Sequence, residues 1–358
     1  MKTAIFLGAG ASAAEGAPLQ NQIFKEYFKS VQISSVNKQM EEELTNFFYL
    51  IFNIDFQKND LDNIVFPTFE EALGILDFAE ERKESLRGLS LNKIPLIREY
   101  LIFAMAHVLD NKLTFSNGKL HNLLIKNLIK KKKIKETVFV STNYDILIDN
   151  ALTKLFPDKK YDDKTYMLDY TVDFTNFHKK DDWKKPTKNK VHLYKIHGSL
   201  NWLYCPTCRA LTLTPKEKGV IQLITKKIPC SSCDSQIVPI IIPPTFYKDM
   251  SNKFLTTIWN NLEETLKDVN HFIFCGYSFP DADMHVKYLI KRIQNQRRGK
   301  MYFTIINNHK NKKKLEKNNE ESRFKRFLGN SVFYKNNSFE AFCKNPIKFY
   351  NLPKKFIY

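Results

Sequence analysis

Four cysteines form two closely spaced pairs. Each pair has the spacing C-x-x-C, and 21 residues separate the two pairs. In a chain for which we predict no secretion signal, paired C-x-x-C indicates a metal site rather than disulfide bonds. Four thiolates would close the tetrahedral coordination sphere of zinc, which makes the ion structural rather than catalytic. We therefore expect a structural Zn²⁺ held by Cys205, Cys208, Cys230 and Cys233.

Short polar sequences follow several strand-like runs of the chain. The first run is followed by Gly8-Ala-Gly-Ala-Ser12, the second by Asn143 and Asp145, and a third by His197. In an open parallel sheet, ligands bind beyond the carboxyl ends of the strands. The sequence therefore predicts that these residues meet at one edge of a sheet.

The first of these sequences has two interpretations. Gly8, Ala9 and Gly10 at a strand-to-helix turn would let the backbone approach a pyrophosphate. Glycines in such a turn are also common for packing alone. The third glycine of the dinucleotide fingerprint is replaced by Ala13, and no well-placed acidic residue ends a second strand. These departures disfavour a hydride-transferring dehydrogenase.

The polar residues after the second and third strands also leave two interpretations open. Asn143 and Asp145 would hold ribose hydroxyls or a water molecule, or one of them would cap the helix that follows. His197 would act as a general base near neutral pH, or be a buried core histidine. Its position beside the other strand ends favours catalysis.

The elements that must position these residues alternate between strand and helix. Apolar runs predict strands at Thr3–Leu7, Thr137–Ser141, Val191–Ile196, Ile237–Ile242, His271–Cys275 and Tyr302–Ile306. Helical periods lie at 17–29, 119–132, 145–155, 251–267, 282–295 and 311–328. We therefore predict an α/β fold, a Rossmann-like parallel sheet with helices on both faces.

Two stretches interrupt this alternation. Residues 36–115 are predicted to be helical throughout, and residues 200–236 contain the paired cysteines and little helix. We interpret them as a helical insertion and a zinc-ribbon insertion. The prediction is a single domain over 1–358, with its core formed by 1–35, 116–199 and 237–358.

The charge of the chain is unevenly distributed. The net charge is +18, but residues 1–100 carry −5 and the remaining 258 carry +23. This indicates a polyanionic partner such as nucleic acid, or only solvated surface lysines. No apolar run is long enough to span a membrane, and no signal sequence is evident, so we expect a cytoplasmic protein.

The order of these motifs resembles that of the sirtuins. The resemblance rests on Gly8-Ala-Gly-Ala-Ser12, Gly16-Ala-Pro18, Asn143-x-Asp145, His197-Gly, the cysteine pairs, Gly276-Tyr-Ser278 and Ile306-Asn307. It implies NAD⁺ as the substrate, with His197 as general base and Asn143 as the other catalytic residue. The other residues implied to bind NAD⁺ are Gly8, Ala9, Gly10, Ser12, Asp145, Gly276, Ser278 and Asn307.

Departures from the protein-deacylating sirtuins point to one branch of that family. Pro18 is followed by Leu19-Gln-Asn-Gln22 where an aromatic–Arg pair is usual, and Thr142 replaces a glutamine. The expected peptide-pairing strand reads Ile240-Ile-Ile-Pro-Pro-Thr-Phe246, whose prolines cannot donate ladder hydrogen bonds. Together with Pro67-Thr-Phe-Glu-Glu71, these features resemble the antiphage-defence branch, which hydrolyses NAD⁺ to nicotinamide and ADP-ribose.

We therefore predict an NAD⁺ glycohydrolase that depletes NAD⁺ when activated. The alternatives are an NAD-dependent protein deacylase and, from another class, a non-catalytic zinc-ribbon protein that binds nucleic acid. An enzyme that destroys NAD⁺ must be kept inactive until it is needed, which predicts control by homo-oligomerisation, by a partner such as an ATPase or another defence protein, or by a lid. The helical insertion is the candidate control surface.

Overall fold

The computed structural model describes residues 2–31, 38–113, 118–154, 167–176, 185–214, 229–241, 253–281, 283–297, 299–310 and 312–351. The strands in these ranges are β1 (Thr3–Leu7), β2 (Thr137–Ser141), β3 (Met167–Asp169), β4 (Thr175–Asn176), β5 (Lys190–Lys195), β6 (Gly198–Tyr204), β7 (Leu211–Leu213), β8 (Val238–Ile241), β9 (His271–Cys275), β10 (Tyr302–Asn307) and β11 (Val332–Asn336).

Seven strands form a parallel sheet in the order β11-β10-β9-β1-β2-β5-β3. Every residue of β1, β2 and β9 is buried. A strand buried along its whole length has both of its faces covered, which explains why these runs are mostly apolar. The predicted α/β fold with a parallel sheet is confirmed. The chain leaves β1 toward β2 and later returns to β9 on the other side, so the strand order reverses beside β1.

The second sheet has four strands in the order β4-β7-β6-β8. The sequence predicts a strand over 237–242 within the parallel sheet, but β8 instead pairs antiparallel with β6. A short apolar run shows that a strand is buried and does not show which sheet buries it. The prolines at 243 and 244, which the sequence analysis used against peptide pairing, lie outside the described residues.

The α-helices in the described ranges are α1 (Ala9–Ala13), α2 (Ile23–Val31), α3 (Lys38–Phe52), α4 (Phe69–Arg82), α5 (Ile94–Leu113), α6 (Lys119–Lys130), α7 (Leu147–Lys154), α8 (Lys253–Lys267), α9 (Met284–Gln296), α10 (Lys314–Leu328), α11 (Phe339–Lys344) and α12 (Ile347–Tyr350). None of the helices in the described ranges is long and apolar enough to cross a membrane.

The buried residues of the described ranges form two hydrophobic cores. One joins the parallel sheet to α6 through α12, and the other joins α2, α3, α4 and α5. Tyr144, which follows β2, and Ile241 of β8 are buried in the second core. The helical module therefore packs directly on the loop that carries Asn143 and Asp145. The domain boundaries stay a prediction.

Candidate functional site

Two glycine-containing loops cross at the carboxyl ends of β1 and β9. The Gly10 amide donates to the Gly276 carbonyl oxygen at 2.8 Å, and the Gly8 amide donates to the Cys275 carbonyl oxygen at 3.0 Å. Gly276 has a φ of +62°, and a Cβ on it would lie 2.3 Å from the Ala11 nitrogen. These glycines therefore have a packing role, because only residues without a side chain let the loops approach so closely. Phosphate binding by them stays a prediction.

Ser12, Asn143 and Asp145 form one hydrogen-bonded network. Asn143 Nδ2 donates to the Gly8 carbonyl oxygen at 2.9 Å and to Ser12 Oγ at 2.8 Å. Ser12 Oγ donates to Asp145 Oδ2 at 2.6 Å. Ser12 lies on α1, four residues from Gly8, so the network joins the loop after β2 to the loop after β1. Three of the residues that the sequence selected are therefore brought together.

Asp145 has the capping role that the sequence left open, and contact of Asp145 with ribose or water stays a prediction. Its Oδ1 accepts the Leu147 amide at 3.0 Å and so caps the start of α7, while its Oδ2 accepts from Ser12. Because the side chain is buried, both carboxylate oxygens are held by the protein. Asp145 therefore fixes the helix and the polar network with one side chain.

A buried lysine donates a hydrogen bond to the loop that carries Asp145. Lys195, near the end of β5, is completely buried, and its Nζ donates to the Asp145 carbonyl oxygen. The Lys195 ammonium lies 3.3 Å from Asp149 Oδ2, and Tyr170 donates to Asp149 Oδ1 at 2.7 Å. A buried charge without a partner is costly, so this pairing explains how a lysine is tolerated inside the sheet.

His197 lies between β5 and β6 and is buried beside a carboxylate. Its Nε2 is 3.1 Å from Asp283 Oδ1, and both side chains are 2% exposed. Asp283 Oδ2 accepts a hydrogen bond from the Tyr277 hydroxyl at 2.7 Å. The ring of Tyr144 lies on another side, with its centroid 6.4 Å from that of His197. The loops after β2, β5 and β9 therefore meet around the imidazole.

The two tyrosines of this cluster stay protonated at neutral pH. Burial, together with the charges of Glu70 and Asp283, raises the pKa of Tyr144 well above its ordinary value. Burial and the adjacent Asp283 carboxylate likewise raise the pKa of Tyr277 well above its ordinary value. The Tyr277 hydroxyl is therefore the donor in its bond to Asp283.

The residues predicted for the adenosine side lie at the ends of β9 and β10. Asn307 Nδ2 donates to the Tyr277 carbonyl oxygen at 3.1 Å and also to Glu320 Oε1. Ser278 is exposed, and its carbonyl oxygen accepts from Arg323 Nη2 at 2.7 Å. In this structure the Asn307 amide holds the loop after β9 in place. Contact of Asn307 and Ser278 with adenosine stays a prediction.

The paired cysteines converge as the spacing predicts. The Sγ atoms of Cys205, Cys208, Cys230 and Cys233 all lie within 4.8 Å of one another. The Sγ atoms of Cys205 and Cys233 are 3.4 Å apart, and those of Cys208 and Cys230 are 3.6 Å apart. Thiolates in a tetrahedron around zinc are separated by roughly 3.8 Å, so this donor set fits the ion. Cys205 follows β6, which places the cluster at the end of the second sheet.

Sequence reasoning missed Asp283 and Lys195. Asp283 closes the polar stretch after β9, so its position was visible, but its pairing with His197 spans 86 residues of chain. Lys195 stands next to the end of an apolar strand, where a lysine is expected to be exposed. A lysine within an otherwise apolar run was the available signal for a buried ion pair.

Solved sirtuin structures resemble the chain only weakly. One, described as the structural basis for sirtuin substrate affinity, is 14% identical, covers 97% of this chain and 92% of its own, and has a TM-score of 0.39. Another, on the mechanism and regulation of Sir2 enzymes, is 12% identical, with coverages of 97% and 90% and a TM-score of 0.38. A third, Sir2Af2 bound to a myristoylated histone peptide, is 11% identical, with coverages of 97% and 89% and a TM-score of 0.35.

The family assignment rests on the sequence itself. No curated protein matches the chain significantly. The family model described as SIR2-like domain matches residues 137–327, which is more than half of the chain and runs from β2 into α10. That range includes Asn143, His197, the four paired cysteines and Asp283. The chain belongs to the SIR2-like domain family.

Proposed function

We propose that the protein hydrolyses NAD⁺ to nicotinamide and ADP-ribose. Membership of the SIR2-like family supports NAD-dependent enzyme activity in general. The observation that carries the proposal is the meeting of the Ser12–Asn143–Asp145 network and the His197–Asp283 pair at the carboxyl edge of the sheet. Ligands of open parallel sheets bind at this edge, where the strand order reverses.

Hydrolysis of NAD⁺ requires the protein mainly to position the ribose and a water molecule. Nicotinamide leaves the ribose as a neutral molecule from a cationic precursor, so no general acid is required. The site must hold the ribose, place a water molecule at the anomeric carbon and accept a proton from it. We assign ribose and water positioning to Asn143 and proton acceptance to His197.

The residues assigned to NAD⁺ binding complete the proposal. Gly8, Ala9, Gly10 and Ser12 would hold the phosphates and the adjoining ribose. Asp145, with Asn143, would face the nicotinamide ribose, and Gly276, Ser278 and Asn307 would contact the adenosine side. All of these residues lie on α1, on β10, or on the loops that follow β1, β2 and β9. The four cysteines would hold structural zinc away from the reaction.

A protein deacylase is the second candidate. It would use the same NAD⁺ site with an acylated lysine as the acceptor in place of water. We favour hydrolysis because Pro243 and Pro244 follow β8 in the sequence and cannot donate the hydrogen bonds that an added peptide strand requires.

The physiological part of the proposal comes from the sequence resemblance alone. An enzyme that destroys NAD⁺ must be inactive until it is needed, which fits an antiphage effector released by infection. We propose control through assembly or a partner protein acting on the helical module. The charges of −5 on residues 1–100 and +23 on the remainder would favour contact between copies of the chain.

Nicotinamide release from NAD⁺, measured without any peptide, tests the catalytic assignment. Asn143→Ala and His197→Ala are each expected to lower the rate by about 100-fold or more, because each removes a group that positions or deprotonates water. Asn150→Ala, a half-buried residue of α7, is the matched control and should retain the wild-type rate. Equal rates in wild type and His197→Ala would contradict the assignment.

A further inference from the structure

We infer that Asp283 and Tyr277 are positioning residues for His197, forming a chain in which the Asp283 carboxylate orients the imidazole and stabilises its charge when it takes up a proton. The expected effect on the reaction rate rests on the proposed function. The pairing itself rests on the distances between the side chains. Asp283 Oδ1 lies 3.1 Å from His197 Nε2, and Asp283 Oδ2 accepts from Tyr277 at 2.7 Å.

Asp283 occupies a position where aspartate usually has another role. It is the N-cap residue of α9, where a carboxylate commonly accepts amide hydrogens from the first turn of the helix. Its side chain makes no such capping bond. The carboxylate is instead turned toward His197 and Tyr277, so the helix start does not account for its orientation.

Burial strengthens the electrostatic interaction between Asp283 and His197. The side chains of His197 and Asp283 are each 2% exposed, and Tyr277 is 3% exposed. Inside the protein a charge acts on its neighbour with much less screening than in water. A buried carboxylate beside an imidazole favours the imidazolium form and holds the ring in one orientation, which is how carboxylates assist catalytic histidines elsewhere.

Other charged and titratable groups also face this cluster. Tyr144 contacts His197 from the loop after β2, and Glu70 of α4 acts electrostatically on both Tyr144 and Tyr277. Asp77 and Arg98 act on Tyr144 from the helical module with opposite signs. Of these charged groups, Asp283 lies within ion-pair distance of His197, so its removal should change the imidazole pKa more than removal of the others.

The test compares Asp283→Asn with Asp281→Asn in the full chain. Asp281 lies two residues away, is exposed and pairs with Lys287, so it is a matched control outside the cluster. Two quantities are measured: the pH dependence of kcat and KM for nicotinamide release, and the titration of the His197 imidazole by NMR, assigned with His197→Gln.

Asp283→Asn is expected to lower kcat by about tenfold to 100-fold with KM changed less than about twofold, because orientation is lost and NAD⁺ contacts are not. The acid limb of the rate profile and the imidazole titration should both move to lower pH by about one unit, since the charge favouring the imidazolium is gone. Asp281→Asn should leave both quantities unchanged.

Tyr277→Phe is a second test, for which we expect the pKa of His197 to shift in the opposite direction. It keeps the carboxylate but removes the hydrogen bond that shares its charge, so the His197 titration should move to higher pH. Opposite shifts in the two variants are not expected from a purely structural effect. This second variant also decides the inference if Asp283→Asn does not fold.

The outcomes separate the inference from the proposed function. If wild type releases no nicotinamide, the function fails while the NMR titration still tests the pairing. Identical imidazole titrations in wild type, Asp283→Asn and Tyr277→Phe would overturn the inference even in an active enzyme.

Discussion

At the residue scale, the site depends on close contacts between loops. Gly276 at φ +62° lets the loop after β9 pass over α1, and the Ser12 hydroxyl then reaches both Asn143 and Asp145. The geometry of the polar network is therefore set by backbone approach as much as by the polar side chains themselves. A single added methyl group at the crossing should disturb it.

Gly276→Ala is expected to lower the free energy of unfolding by about 3 kcal/mol or more. The new Cβ would lie 2.3 Å from the Ala11 nitrogen, and the positive φ strains any L side chain. Chemical denaturation measures the change. Gly299→Ala is the control, since its Cβ would meet nothing within 4 Å, and equal stabilities of the two variants would contradict the crossing.

Most of the site residues could be predicted from the sequence, but the side-chain pairs that they form could not. Ser12, Asn143, Asp145 and His197 were selected because they follow apolar runs, and strand ends can be identified locally. The His197–Asp283 pair depends on how two distant loops meet, which local pattern does not encode. Asn307 was selected for ligand contact, yet its amide holds Tyr277 and Glu320.

At the element scale, apolar runs predicted strand positions better than strand partners. β1, β2 and β9 have the predicted bounds because each is buried along its whole length. β11 has the same length but was missed, since only its first residues are buried and it ends in the exposed residues Lys335 and Asn336. β8 was located but placed in the wrong sheet, because its neighbours are decided by tertiary packing.

The zinc module gives a prediction at this scale. The purified protein should contain about one zinc atom per chain, and Cys230→Ser should reduce this to below about 0.1 while lowering the melting temperature, because metal binding holds the ribbon folded. Elemental analysis and thermal unfolding measure both effects. Ser231→Ala, an exposed neighbour, should keep its zinc. Wild type without zinc, unaffected by chelator, would contradict a structural metal site.

At the scale of the whole molecule, the parallel sheet buries a histidine whose charge state is coupled to folding. Burial lowers the pKa of His271, in β9, to about 4, and its Nε2 lies 2.7 Å from Thr304 Oγ1. The unfolded chain binds a proton near pH 6.5. Because the unfolded state takes up the proton first, stability is complete above about pH 6.5 and declines as the pH falls toward 4.

We expect this histidine alone to remove about 3 kcal/mol of stability between pH 6.5 and 4. The difference in unfolding free energy between wild type and His271→Gln, measured by denaturation across that range, should therefore vary with pH. His285→Gln, at a half-buried position on α9, should run parallel to wild type. A constant difference for His271→Gln would show that its protonation is not linked to folding.

The central claim is that water, not an acylated lysine, accepts the ADP-ribosyl group. The most direct measurement is chromatographic quantification of nicotinamide and ADP-ribose from NAD⁺, with and without an acetyl-lysine peptide. We predict equal amounts of the two products and no effect of the peptide. Release that requires the peptide, with an acylated ADP-ribose as the product, would contradict the account.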